Sequence, residues 1–248
     1  MNFKLQAIRG IKKWRIILII LLLLCFLYFA FTYRTWEARV FAGKVLWTVR
    51  SDELMYQVPT QKSLSETTFP NTQTLTFKNI TFQIPWKTYK IRGSEGQGYV
   101  AINFQKDDEW KSGDPSVMVS TETPWYDSMK SHPQTAQMYQ EAFPGITLNN
   151  YEFYKQTLFV TPGDIHLFTG NPKDYVPRAN MLLLKKFFAP ASPLYFYENQ
   201  NGIRGFEFTS SGYIVSEFFT PDDQPYEIMI GHATPKEADA ILGSLSAH

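Results

Sequence analysis

The 248-residue chain carries 24 Lys and Arg against 23 Asp and Glu, a formal net charge of +1, and 16% aromatic residues. Near-neutrality removes any global electrostatic case for nucleic-acid binding, and the length beyond an apolar N-terminal run suffices for one domain with its own core. The single cysteine, Cys25, lies inside that run, which excludes disulfides, thiol nucleophiles and thiolate metal sites from everything after it.

Residues 1–15 form a basic tail containing Lys4, Arg9, Lys12, Lys13 and Arg15, and residues 16–33 follow without a charge. As a helix at about 1.5 Å per residue the run reaches roughly 27 Å, close to the hydrocarbon thickness of a bilayer, with its backbone polar groups satisfied internally. Trp14, Tyr33 and Trp36 flank it as headgroup-level rings do. The run is longer than a secretory core, and Tyr28-Phe29-Ala30 is a poor cleavage site because Tyr28 is bulky. Leu24 is too large to precede a lipid-modified Cys25. The expectation is an uncleaved, single-pass signal-anchor, a transmembrane helix with a lipid bilayer as the partner of 16–33. The excess of basic charge before the run puts the N-terminus inside and the C-terminal domain outside a bacterial cytoplasmic (inner) membrane, as a periplasmic domain.

Val40, Trp47 and Leu54 recur every seven residues with Trp36, Phe41 and Met55 beside them, which predicts an amphipathic helix over 34–58. Such a helix packs on its own domain or self-associates with a second copy. Pro59 stops it, and 59–73, rich in Ser, Thr, Asn and Gln, reads as a linker.

The folded domain is expected over 74–248. Leu75 and Phe77, then Ile80, Phe82 and Ile84, change parity across Lys78-Asn79, the pattern of a hairpin or a bulged strand. A loop with Gly93, Gly96 and Gly98 leads to a strand at Tyr99–Phe104, and a polar loop leads to another at Ser116–Ser120. Ser131-His132-Pro133-Gln134 has the form of a capping box, with Ala136, Tyr139 and Phe143 continuing at helical spacing. Tyr151–Thr161 and Ile165–Thr169 read as strands. Asn171-Pro172 opens a helix to about Phe188, in which Pro177 requires a kink or a later start. Leu194–Glu198, Ile203–Thr209, Tyr213–Phe219 and Tyr226–Gly231, separated by short polar turns, predict a meander. Thr234-Pro235-Lys236-Glu237 starts a closing helix with Ala238, Ile241, Leu242 and Leu245 as its apolar stripe. The fold class is therefore α+β, with an N-terminal transmembrane helix, a short helical stalk, then an antiparallel sheet with flanking helices.

A strand ending Ile84-Pro85-Trp86, a middle helix, a late meander and a closing helix ending Ile241-Leu242-Gly243-Ser244-Leu245 resemble the PsbP-like fold in their order over Thr74–Leu245. That group includes the extrinsic PsbP subunit of photosystem II. The resemblance implies an accessory or assembly role through partner binding, mostly without catalysis, and carries over no functional residue.

The chain lacks a G-x-S-x-G elbow, an H-E-x-x-H pair, a phosphate-binding P-loop and an EF-hand loop, and no cofactor is expected. Asp164-Ile165-His166 places a carboxylate and an imidazole two residues apart, on one face if extended, as half a metal site or an acid–base pair. The alternative is a turn aspartate and a satisfied strand histidine. Asp107-Asp108-Glu109 and Asp222-Asp223 lack calcium-ligand spacing and read as solvated turns. Trp86, Trp110, Trp125 and Tyr126 stand beside loops or helix starts, as candidate contacts for a sugar or a protein, with core packing as the alternative. The expected function is a membrane-anchored envelope protein whose outer domain binds a protein partner. An anchored hydrolase or transferase using Asp164 and His166, and a module for lipid or peptidoglycan fragments, are the alternatives.

Overall fold

The computed structural model describes residues 21–24, 35–64, 69, 72–87, 89–104, 113–189 and 193–248. Residues 35–49 form helix α1, because Ala38, Ala42, Val45 and Val49 recur at three- and four-residue spacing and make one inward stripe. A 3-10 turn at Glu53–Tyr56 follows, capped by Asp52, whose Oδ1 accepts the Leu54 N–H at 3.3 Å. It buries Leu54 and Met55.

Eleven strands and five further helices follow in the described residues: β1 (Thr60–Gln61), β2 (Gln73–Phe77), β3 (Ile80–Ile84), β4 (Tyr89–Ser94), β5 (Tyr99–Phe104), β6 (Ser116–Thr121), α2 (Trp125–Lys130), α3 (Pro133–Ala142), α4 (Asn150–Phe159), α5 (Pro172–Phe188), β7 (Tyr195–Glu198), β8 (Arg204–Ser210), β9 (Tyr213–Phe219), β10 (Pro225–Gly231), α6 (Pro235–Ser244) and β11 (Ser246–Ala247). Eight strands make the main sheet in the order β1-β7-β8-β9-β10-β6-β5-β4, and three make a small sheet in the order β11-β3-β2. The β2–β3 hairpin turns at Lys78-Asn79 and pairs Phe77 with Ile80 and Leu75 with Phe82.

Strand alternation builds two cores, one on each face of the main sheet. Phe206, Phe208, Val215 and Phe219 face α1 and α2–α5. Phe218, Tyr226, Ile228 and Ile230 face α6 and the small sheet. The result is a layer of helices, a large sheet, and a thinner layer of one helix and three strands.

The α+β class stands, with two corrections. First, the main sheet is mixed, because β1 runs parallel to β7. Second, no helix among the described residues is long and apolar enough to cross a membrane, so the expected transmembrane helix, signal-anchor and single-pass membrane topology are not carried forward. Of 16–33 only 21–24 are described, four exposed helical leucines, while a span needs about twenty continuous residues. Helix α1 is short and carries Glu37, Arg39 and Lys44. The basic tail 1–15, Cys25, Trp110 and Asp107-Asp108-Glu109 lie outside the described residues.

Other elements differ from expectation for local reasons. The inward stripe of α1 is Ala38, Ala42, Val45 and Val49 with Phe41 and Leu46 packed beside it, while Trp36, Val40 and Trp47 are exposed at 60%, 41% and 67%. The supposed linker contributes β1. Tyr151–Thr161 is mostly helix α4, opened by Asn149, whose Oδ1 accepts the Glu152 N–H at 2.8 Å. Ile165–Thr169 is a turn rather than a strand. The part of the Gly-rich stretch before Gly96 is strand β4, exposed along nearly its whole length and so without apolar alternation. α5 runs through the buried Pro177. α3 starts at His132 without a side-chain cap, and the Ser131 hydroxyl donates to the Ser128 carbonyl instead.

Candidate functional site

A cleft of about 620 Å³ opens at the β1 edge of the main sheet, beside α6. Gln61, Lys62, Ser63 and Leu64 form one wall, and Ala240, Gly243 and Ser244 of α6 form another. The β7–β8 turn (Glu198, Asn199, Gln200), the end of β3 (Gln83, Pro85), and Phe69 and Thr72 ahead of β2 complete it. The volume lies in the range of ligand sites, and the lining divides between polar groups and the apolar surface of Leu64, Phe69, Pro85 and Ala240.

Each wall is fixed by a local bond set. The Thr60 N–H donates to the Leu194 carbonyl at 3.0 Å and the Lys62 N–H to the Phe196 carbonyl at 2.8 Å, which ties the wall strand to β7. Asn199 is buried, and its Nδ2 donates to the Leu242 and Leu245 carbonyls at 3.1 and 2.8 Å, closing the C-terminal end of α6. Its Oδ1 accepts the N–H groups of Asn201 and Ile203, both at 3.0 Å, shaping the turn. The Ser244 hydroxyl accepts the Gln83 N–H at 2.8 Å and joins α6 to the small sheet.

The electrostatic centre of the cleft is Lys62. Its ammonium lies 2.8 and 2.7 Å from the two carboxylate oxygens of Glu207 and 2.6 Å from Asp239 Oδ1. Burial opposes the charge on Lys62, but the bonds to Asp239 and Glu207 outweigh it and hold its pKa above the ordinary value. Burial likewise raises the Glu207 carboxyl, against the pull of Lys62. One cation thus serves two carboxylates, while Glu198 stands across the β7–β8 ladder from Arg204.

The residues singled out from sequence fall elsewhere. Asp164 closes a capping box: its Oδ2 accepts the Thr161 N–H and hydroxyl, both at 2.8 Å. His166 is exposed in the following turn, and neither residue lines the cleft. Trp86 is 5% exposed in the small-sheet core, its Nε1–H donating to Glu237 Oε1 at 3.3 Å. Tyr126 is likewise buried and stacks on Phe153, while Trp125 is 41% exposed and leans on Phe188. Asp223 is a cap rather than a solvated turn residue, its two carboxylate oxygens accepting the N–H groups of Asn150 and Tyr151 at 2.6 and 2.9 Å. The cleft went unseen in the sequence because its walls come from separate segments, and Lys62, Glu207 and Asp239 share no spacing.

Lys185 and Glu217 are among the titratable groups withdrawn from water outside the cleft. Lys185 is 0% exposed, donates to the Gln57 and Val160 carbonyls at 2.6 and 2.9 Å, and is pushed down to about 8 by burial. Glu217 on β9 is pushed up to about 8 by burial and then by Glu122. Among the described residues no group of three or more His, Cys, Asp or Glu is placed to hold a metal ion. Comparison with protein-family models, with curated proteins and with solved structures finds no match.

Proposed function

We propose that the chain is a binding domain that holds a partner in the cleft between β1 and α6, an accessory role of the kind the PsbP-like order of elements implies. The observation that carries this reading is the cleft itself, a concavity of about 620 Å³ lined by amide, hydroxyl and apolar groups. Amides and hydroxyls recognise by hydrogen bonds, and the one ammonium in it is spent on two carboxylates, so it offers no nucleophile. The catalytic alternative draws no support from Asp164 and His166, which stand apart from the cleft.

The test is quantitative capture of partners from the cells that make the protein, with the whole chain and with Ala240→Trp, whose indole fills the cleft from the α6 side. Loss of a captured component with Ala240→Trp, at an unchanged urea midpoint, is the expected result. Identical capture by both chains would sink the assignment of the cleft.

A further inference from the structure

We propose that the outward face of α1 is a contact between two copies of this chain, which pair through it as antiparallel helices about a two-fold axis near residue 41. The cleft plays no part in this contact, so the proposal stands or falls apart from the binding reading.

The first observation is that α1 has two apolar faces and its own domain uses one. Ala42, Val45 and Val49 are buried among the other helices. Trp36, Val40 and Trp47 stand on the opposite side, exposed, and at about 100° per residue they fall within about 40° of one another around the helix axis. Single exposed apolar side chains are ordinary, but a row of two indoles and a valine on one helix marks a contact surface. The Trp47 indole is ordered in advance, because the Arg50 guanidinium carbon lies 3.3 Å from its ring centroid.

The second observation is where the rest of the helical layer exposes large rings. Phe168 is 86% exposed and follows Leu167, whose carbonyl accepts the Arg39 Nε–H. Phe187 is 77% exposed and follows Lys186, which meets Asp52 just past the end of α1. Exposed apolar surface therefore gathers around this helix.

The third observation is charge, and it selects the occupant. Glu37 and Lys44 are both exposed and lie two helical turns apart on one flank of the row. Antiparallel helices related by a two-fold axis bring like flanks together, so that residue i meets residue j and j meets i. With the axis near residue 41, Glu37 of each copy meets Lys44 of the other, Trp36 lies beside Trp47, and Val40 lies beside its own counterpart. Parallel helices would leave Glu37 about 10 Å along the axis from Lys44 and set like charges side by side. The face thus carries its own complement. A lipid surface makes no use of Glu37.

The test follows the whole chain by sedimentation velocity at rising concentration. The natural chain is expected to double in mass. Glu37→Lys and Lys44→Glu, each alone, turn two attractions into two repulsions and should raise the midpoint concentration of doubling about tenfold. The two substitutions combined in one chain should recover the natural midpoint, and so should an equal mixture of the two single variants. Recovery on mixing separates pairing from folding, because neither chain changes the fold of the other. The direction is read in a Cys25→Ser background under mild oxidation, where Trp36→Cys should link to Trp47→Cys in a mixture and not to itself. A natural chain that stays monomeric would overturn the proposal. Doubling that neither single reversal weakens would place the contact elsewhere in the chain and overturn it as well, as would single reversals that weaken doubling without recovery on mixing. Self-linked Trp36→Cys would overturn the antiparallel arrangement. Binding of a monomeric chain to phosphatidylcholine vesicles, lost in the variant with both Trp36→Ser and Trp47→Ser, would give the face to a lipid surface instead.

Discussion

Glu217 stands on β9 directly across from Glu227 on β10, and Glu122 lies just past the end of β6. All three carboxyls are raised above the ordinary range, chiefly by burial, with repulsion from Glu122 second for Glu217 and Glu227. For Glu217, at about 8 against 4.5, the neutral form is the one the fold accommodates. Its contribution to stability is therefore present below pH 4.5 and lost as pH rises through 8, because the unfolded chain has by then released a proton that the folded chain still holds. Glu217→Gln keeps the neutral shape at every pH. The variant should come close to the natural chain near pH 5 and gain about 4 kcal/mol on it by pH 8.5, read from urea midpoints at the two pH values. A constant difference between the two would show that the carboxyl is already ionised in the fold.

At the scale of elements, helix ends are held by distant residues. Asn150 Oδ1 accepts the N–H groups of Tyr126 and Asp127 at 3.0 and 3.1 Å, capping α2, while its own N–H is capped by Asp223. Its Nδ2 donates to Asp127 Oδ2 at 2.8 Å. One side chain thus joins the starts of α2 and α4 to the β9–β10 turn. Asn150→Ala strands two α2 N–H groups at a buried position and should lower stability by about 2 kcal/mol, more than an ordinary cap, measured by urea unfolding. The same contrast explains what was legible in the sequence. The closing helix was, because Thr234 and Glu237 cap within one turn, with the Thr234 N–H and hydroxyl donating to Glu237 Oε2 at 2.7 and 2.8 Å. The meander was, because β8–β10 are joined by short turns. Helix α4 was not, because its Tyr-, Phe- and Thr-rich sequence has strand propensity that packing overrides: Tyr154 stacks on Phe188 at 4.4 Å and leans on Phe206 at 5.2 Å. Strand β1 was not, because two residues become a strand only against β7, far along the chain. The cleft was invisible for the same reason, since Lys62, Glu207 and Asp239 meet only in three dimensions.

The whole molecule closes through its first described segment of any length. Ala42, Val45, Val49, Leu54 and Met55 are all 8% exposed or less and belong to the core beneath α4 and α5. The Arg39 Nε–H donates to the Leu167 carbonyl at 3.1 Å, and Lys186 meets Asp52 at 2.6 Å, so α1 and the turn after it are docked along two sides. Lys185 is the innermost tie, because its ammonium bonds the Gln57 carbonyl, and burial by this segment contributes to holding it at about 8. Against 10.5 unfolded, that lowered value adds stability above pH 10.5 that is lost as pH falls through 8, so the fold should strengthen as pH rises between them. A chain beginning at residue 59 loses the apolar contacts, the tie and the cover together. Apolar burial of that size is on the order of 5 kcal/mol, a large share of the stability of an ordinary domain. Compared with a chain beginning at residue 35, it should show a much lower urea midpoint. The gain of midpoint between pH 7.5 and 9.5 should also shrink, because Lys185, now wetted, keeps its proton in both states. If the two chains had equal midpoints and equal pH responses, α1 would be an appendage on a core complete without it, and Lys185 would owe its lowered pKa to α4 and α5 alone.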